Sequence, residues 1–209
     1  MQESVMIKQL AALALHKVTQ LGKKGLATKM IEKNSYKTIV IDPPWTGPNA
    51  VPAFDSQHRG KMKLNLMPYA TICGTQLAAM RINEISAHDA QIFIWTTNRN
   101  VSDAFLLMQL WAFKYRGLFV WQKPGLGMGR HMRNQCEFLL WGGRVGSPLV
   151  EPKKCPRQIQ CWPKPKRHSE KPDEAYRFIA ELSDGPRIDI FARQARDGFD
   201  AWGNEAPDK

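Results

Sequence analysis

A chain of 209 residues, 43% hydrophobic and 23% charged, is long enough for one well-buried core and too apolar to be a disordered polymer. Its net charge of +11 and pI near 9.7 ask for a polyanionic partner, because a phosphate backbone gains affinity from each cation that displaces condensed counterions. No apolar stretch approaches a membrane span. The short run from Leu10 to Leu15, with Glu3 and Lys8 before it and His16 and Lys17 after it, does not make a signal peptide. Cys73, Cys136, Cys155 and Cys161 lack Cys-x-x-Cys spacing, which argues against a zinc site or a disulfide framework and for reduced thiols in a cytosolic protein.

Residues 4–22 are predicted helical, with Met6, Leu10, Leu13, Ala14 and Leu21 on one apolar face that Lys17 interrupts. This helix fits docking on its own core and dimer formation equally well. Apolar runs at 37–41, 91–96, 117–122, 136–141 and 187–191 read as strands, most of them apolar on successive residues, as in a sheet covered on both faces. Between them, Thr75–Ile85 and Val101–Trp111 have helical composition, and Pro172–Leu182 is a clearer helix. It has Pro in its first turn, Asp173 and Glu174 at the positive end of the dipole, and Tyr176, Ile179 and Leu182 spaced inward. Strands alternating with helices predict a mainly parallel, doubly wound α/β sheet.

Two stretches fit no regular element. Thr46–Pro68 contains Gly47, Pro48, Pro52 and Gly60 with Arg59, Lys61 and Lys63. Its length exceeds an ordinary connection and is itself a functional hint; the sharp reading is a mobile lid over a binding site. Gly142–Glu170 holds Pro148, Pro152, Pro156, Pro163 and Pro165 and reads either as a disordered surface loop or as a binding loop, with Gln158–Trp162 a candidate extra strand inside it.

The decisive feature is Asp42-Pro43-Pro44-Trp45, which follows the run Thr38-Ile39-Val40-Ile41 directly. Asp-Pro-Pro alone is an ordinary strand-ending turn. With an aromatic fourth residue and a buried strand before it, the tetrapeptide sits where open α/β sheets place their sites. The exocyclic amine of adenine is a weak nucleophile because its lone pair is delocalised into the ring. The Asp42 carboxylate can accept one N–H and the Pro43 carbonyl the other, which favours a pyramidal nitrogen aimed at an incoming methyl group. Trp45 offers a face for the ring to stack on, and Pro43 and Pro44 stiffen the arrangement before substrate arrives.

From Tyr36 to Glu205 the chain resembles the MT-A70 adenine-N6 methyltransferases. The matching stretches are YKTIVIDPPW, Leu66–Thr71, QIFIWTTN at 91–98 and YRGLFVWQKPGLGMGRHMRNQCEFLLWGGR at 115–144. KRHSEKPDEAYRFIAEL at 166–182 and RIDIFARQARDGFDAWGNE at 187–205 complete the set. The resemblance implies a Rossmann-like S-adenosylmethionine-dependent methyltransferase fold, permuted so that the catalytic motif precedes the cofactor-binding segment, with residues 1–35 a helical extension and 36–209 the methyltransferase domain. It implies that Lys171 pairs with the carboxylate of S-adenosylmethionine, that Asp42 lies near its amino group, and that Arg193, Asn204 and Glu205 contact its ribose and adenine. A cation for the carboxylate, and a carboxylate accepting ribose hydroxyls, make chemical sense of Lys171 and Glu205.

The chain departs from eukaryotic relatives in a shorter spacing from Arg193 to Asn204 and in Glu205, where they commonly carry Gln. Phe191-Ala192-Arg193 replaces the Phe-x-Gly-x-Gly loop of many amino-methyltransferases. Gly125-Leu126-Gly127-Met128-Gly129 is not a dinucleotide fingerprint, because the last required glycine would fall on Arg130.

Asn134 and Glu137 stand where the family places polar residues near the substrate, and buried polar residues at a strand entry are the alternative. Basic clusters at Arg130, His131 and Arg133, and at Lys153, Lys154, Arg157, Lys164, Lys166, Arg167 and His168, flank the candidate site segments. Each alone reads as a solvated surface; together they read as a track for a phosphate backbone. The resulting expectation is direct methyl transfer from S-adenosylmethionine to adenine N6, with no covalent enzyme intermediate and no metal, by a cytoplasmic monomer or homodimer. In duplex DNA the base would have to be flipped out of the stack. DNA is favoured because the compact architecture looks like prokaryotic or phage members; RNA as substrate, or a catalytically silent nucleic-acid-binding subunit, are the alternatives. Silent members typically lose the tetrapeptide, and this chain keeps it.

Overall fold

The run Thr38–Ile41 is buried on both sides, because successive side chains of a strand point to opposite faces. Ile39 and Ile41 pack into one core, whereas Val40 packs into a second on the other face of the sheet. The computed structural model describes residues 35–45, 74–127, 132–151, 153, 155–167 and 170–203. The expected helix at 4–22 and the long stretch at 46–68 lie outside them.

The strands are β1 (Tyr36–Ile41), β2 (Ser86–Thr96), β3 (Lys114–Gln122), β4 (Cys136–Gly143), β5 (Ile159–Gln160), β6 (Arg187–Ile190) and β7 (Asp200–Trp202). The helices are α1 (Gly74–Ala78), α2 (Ile82–Ile85), α3 (Val101–Leu110) and α4 (Asp173–Leu182). The sheet order is β5-β3-β4-β2-β1-β6-β7. Strand β1 runs parallel to β2 and β6, β6 to β7, and β3 to β5, while β4 runs against both β2 and β3. This is the mainly parallel α/β sheet expected, and Ile159–Gln160 supplies the extra strand anticipated within 158–162.

The two faces are covered from opposite sides. Leu77, Ile82, Ala104, Leu107 and Met108 from α1, α2 and α3 pack on Ile39, Ile41, Ile92 and Ile94. Ala175, Tyr176 and Ile179 from α4 pack on Val40, Phe93, Trp95 and Leu139. Strands β1, β2, β3 and β6 all point their carboxyl ends to one edge of the sheet. Ligands bind at that edge, where connections diverge to opposite faces, in open α/β sheets.

The single helix expected over 75–85 is two short ones, broken around Arg81 (φ −86°, ψ 52°). Leu77 and Ile82 are both buried in the same cluster, yet five residues along a continuous helix would place them about 140° apart, so the break lets both face the sheet. Strand β2 begins at Ser86, earlier than its apolar run predicts, and the carbonyls of Ser86 and Ala87 accept hydrogen bonds from the Arg144 guanidinium (3.3 and 3.2 Å). Strand β3 starts at Lys114, and β4 continues through Gly142 and Gly143. A Cβ on Gly142 would lie 2.8 Å from Met108 Sδ, so the missing side chain leaves Met108 of α3 its present place against the sheet. Strand β6 ends at Ile190, because Phe191 adopts φ 67°, where an extended strand cannot continue.

Candidate active site

The tetrapeptide emerges from β1 at the carboxyl edge. The Asp42 amide donates to the Ile190 carbonyl at 3.3 Å, so β6 guides the chain one residue past the strand. Pro43 is buried and Asp42, Pro44 and Trp45 are partly so. The Trp45 amide donates to the Pro43 carbonyl at 2.7 Å and its indole Nε1 to the Trp95 carbonyl at 3.1 Å. The indole is thereby tied to the end of β2. One lone pair of the Pro43 carbonyl is used inside the turn, and a carbonyl has a second.

Around Asp42 the charges alternate in a line. Lys171, immediately before Pro172 and α4, donates from Nζ to Asp42 Oδ2 at 2.8 Å and lies 3.4 Å from Glu137 Oε2. Glu137, on β4, also pairs through Oε1 with Lys123 at the end of β3. The Lys171 side chain is 7% exposed, and its Nζ stands 5.4 Å over the ring of Trp95. That ring is fully buried and makes edge contacts with Trp121 and Trp162. Burial pushes the Asp42 carboxyl above its ordinary range, with Lys171 opposing. Burial would push Glu137 up as well, but Lys171 and Lys123 outweigh it and hold Glu137 low. Burial would lower Lys171, yet Asp42 and Glu137 together raise it. Lys171 therefore holds its proton more tightly than an ordinary lysine.

Of the residues expected from sequence, Asp42, Lys171 and Glu137 meet in direct contact, Trp45 is bonded to the Trp95 carbonyl with its ring against the core of Ile39 and Ile41, and Arg193 is close enough for its charge to act on Asp42. Asn134 is exposed in the stretch leading into β4, where its carbonyl accepts from the Gly127 amide at 2.7 Å. Arg133, Lys164, Lys166 and Arg167 are exposed. The last three fall in the chain between Trp162 and Lys171, both of which approach the Trp95 ring. Arg130, His131, His168, Asn204 and Glu205 lie outside the described residues.

Sequence reasoning missed Lys123, Trp95, Asp189 and Arg196. A signal existed for Asp189: a carboxylate within the apolar strand Arg187-Ile188-Asp189-Ile190 needs a buried partner, and Arg196 Nη1 provides it at 3.2 Å.

Residues 36–205 match the MT-A70 family, the span that begins at β1 and runs past β7. The chain belongs to the MT-A70 family. It is 28% identical over 190 residues to the Type II methyltransferase M.MunI of a Mycoplasma, covering 85% of this chain and 81% of that protein. A putative N(6)-adenosine-methyltransferase MT-A70-like protein of Medicago truncatula is 24% identical over 187 residues, 81% of this chain and 26% of that protein. A probable N(6)-adenosine-methyltransferase MT-A70-like protein of Oryza sativa subsp. japonica is 25% identical over 183 residues, 81% of this chain and 23% of that protein. The chain thus spans about a quarter of these plant relatives.

As an MT-A70 protein with an intact Asp-Pro-Pro-Trp motif, the chain is an S-adenosylmethionine-dependent adenine-N6 methyltransferase acting on nucleic acid. The residues present fit that donor. Its amino-acid end is a zwitterion, and the buried Asp42–Lys171 pair offers one group of each sign at the carboxyl edge of β1.

Proposed function

We propose that the adenine is in DNA and that Asp42, Pro43, Pro44 and Trp45 form its catalytic pocket. The observation carrying the DNA reading is coverage: the chain aligns with most of a protein named a type II methyltransferase but with only a quarter of proteins named adenosine methyltransferases. In this reading Lys171 binds the carboxylate of S-adenosylmethionine, Asp42 lies near its amino group, and Arg193, Asn204 and Glu205 hold its ribose and adenine. When bound, the donor supplies a methyl group on an electrophilic sulfonium.

The protein's own part is positioning and electrostatics. The Asp42 carboxylate and the Pro43 carbonyl accept the two amine hydrogens and localise the nitrogen lone pair, and Trp45 stacks on the base. Lys171 stabilises the charged Asp42, and Glu137 with Lys123 fixes Lys171 from the other side. In duplex DNA the base would be flipped from the stack into this pocket, while Arg133, Asn134, Lys164, Lys166 and Arg167, with Arg130, His131 and His168, engage the strand. The domain is assigned to 36–209 with 1–35 as an extension, working in the cytoplasm as a monomer or homodimer. Among the described residues no helix is long and apolar enough to cross a membrane.

Two assays test this reading. Matched DNA and RNA oligonucleotides are incubated with labelled donor, and label is expected in DNA; preferential labelling of RNA would replace DNA with the reading that the plant relatives' names favour. The Asp42→Ala variant is expected to lose turnover while keeping most nucleic-acid binding, and retained methylation by the purified variant would sink the mechanism.

A further inference from the structure

Lys171 is held to Asp42 by its side chain, but its main chain also needs an anchor. Pro172 follows it in an extended conformation (φ −66°, ψ 144°) and has no amide to donate. The first α4 amide bonded in this turn, that of Ala175, goes to the carbonyl of Pro172 at 3.0 Å, not to that of Lys171. The Lys171 carbonyl instead accepts from Arg196 Nη2 at 3.0 Å.

Each nitrogen of that guanidinium goes to a different residue. Nε donates to Asp173 Oδ1 at 3.1 Å and Nη1 to Asp189 Oδ2 at 3.2 Å. The flat face lies 3.6 Å from the ring centroid of Tyr176. The Arg196 backbone is itself fixed, its carbonyl accepting from the Phe199 amide at 3.1 Å. One side chain therefore ties the loop between β6 and β7 to β6, to the start of α4 and to the residue that grips Asp42. A planar fork can do this, whereas a lysine presents a single nitrogen.

We infer that Arg196 is a positioning residue for the methyl donor, holding the Lys171 backbone so that its ammonium meets the donor's amino-acid end. This rests on the reading that Lys171 binds the donor carboxylate. The same loop carries Arg193, whose charge reaches Asp42, so the clasp also sets where Arg193 sits relative to Lys171. Asp189 is the buried base of the clasp, facing Arg196, Tyr176, Asp42 and Lys171. Its carboxyl is pushed up to about 7 by burial, with Arg196 opposing.

The test is calorimetric binding of S-adenosylhomocysteine, which keeps the same amino-acid end, to the full chain and to Arg196→Lys, Asp173→Ala and Lys171→Met. Steady-state KM is measured separately for the donor and for the oligonucleotide. Arg196→Lys loses charge-assisted bonds and is expected to weaken binding about 10- to 100-fold, raising the KM for donor far more than the KM for oligonucleotide. Asp173 is 63% exposed, so Asp173→Ala tests the clasp without opening the core, and a two- to fivefold weakening, roughly, is expected for one exposed arm. Native affinity in both clasp variants, with binding lost in Lys171→Met, overturns the role of Arg196 and leaves that of Lys171 standing. Native affinity in Lys171→Met overturns the donor-site reading beneath it. An equal rise in both KM values assigns Arg196 to general stability and also overturns the inference.

Discussion

Lys171 Nζ and Asp42 Oδ2 meet at 2.8 Å although 129 positions separate them in the chain. The contact joins the tetrapeptide after β1 to the residue before α4, so the proposed acceptor of the amine and the proposed cation of the donor site form one electrostatic unit. Removing one member of a buried pair leaves the other uncompensated, whereas replacing a carboxylate by its amide keeps shape and one acceptor.

Asp42→Asn separates these effects. The amide oxygen still accepts from Lys171, but the charge that the proposed mechanism uses to localise the amine lone pair is gone. Methylation is expected to fall about 10²- to 10³-fold with nucleic-acid affinity close to native, as read by single-turnover labelling and by fluorescence anisotropy on the same oligonucleotide. A variant that keeps native turnover would show that the Asp42 charge is not used.

Glu137→Gln is expected to move the pH profile as a whole. Glu137 contributes to raising both Asp42 and Lys171. Without its charge Asp42 ionises at lower pH, and Lys171 also loses its proton at lower pH. Both limbs of kcat/KM against pH therefore shift in the acid direction. A profile that loses height without shifting would assign Glu137 to substrate contact instead.

Most of the sheet was legible in the sequence because its strands are apolar on successive residues, as Ile39-Val40-Ile41 and Ile92-Phe93-Ile94-Trp95 are. The ends were not, because they depend on distant partners: Ser86 and Ala87 on Arg144, and Gly142 on Met108. Asp42 was singled out by its motif and Lys171 by the family resemblance, while Glu137 stood open between a polar residue near the substrate and a buried one at a strand entry. Their mutual pairing was not legible, since sequence order says nothing of which cation reaches which carboxylate. Arg196 was illegible for the same reason; its three bonds go to residues 7 to 25 positions away.

Asp189 should make stability depend on pH. Its folded pKa, about 7, lies above the ordinary value of 3.8. Between those values the folded state holds a proton that the unfolded state has lost, so this group's contribution is fully present below the ordinary value and declines as pH rises to about 7. The slope is about 1.4 kcal/mol per pH unit across that window. Asp189→Asn cannot titrate, so its unfolding free energy relative to native should improve from pH 5 to pH 7 in urea titrations. Parallel curves for the two proteins would remove Asp189 as the source.

Two glycines in contact with their neighbours should respond differently to an added methyl group. A Cβ on Gly142 would meet Met108 Sδ at 2.8 Å, the outer part of a flexible side chain that can swing aside, so Gly142→Ala should cost roughly 1 kcal/mol. A Cβ on Gly203 would meet Phe191 Cα at 2.9 Å, at a glycine φ of 152°. This neighbour is backbone, and it is pinned: the amides of Phe191 and Ala192 both donate to the Trp202 carbonyl, at 2.7 and 3.1 Å. The methyl group must push the ends of β6 and β7 apart, at roughly 2–4 kcal/mol. That corresponds to a fall in melting temperature on the order of 5–10 °C for a chain of this size. Because Phe191 leads to Arg193 and Gly203 to Asn204, the same displacement should weaken S-adenosylhomocysteine binding in Gly203→Ala but not in Gly142→Ala. Equal melting temperatures and equal affinities in the two variants would mean that the contact between the carboxyl ends of β6 and β7 is not what positions Arg193.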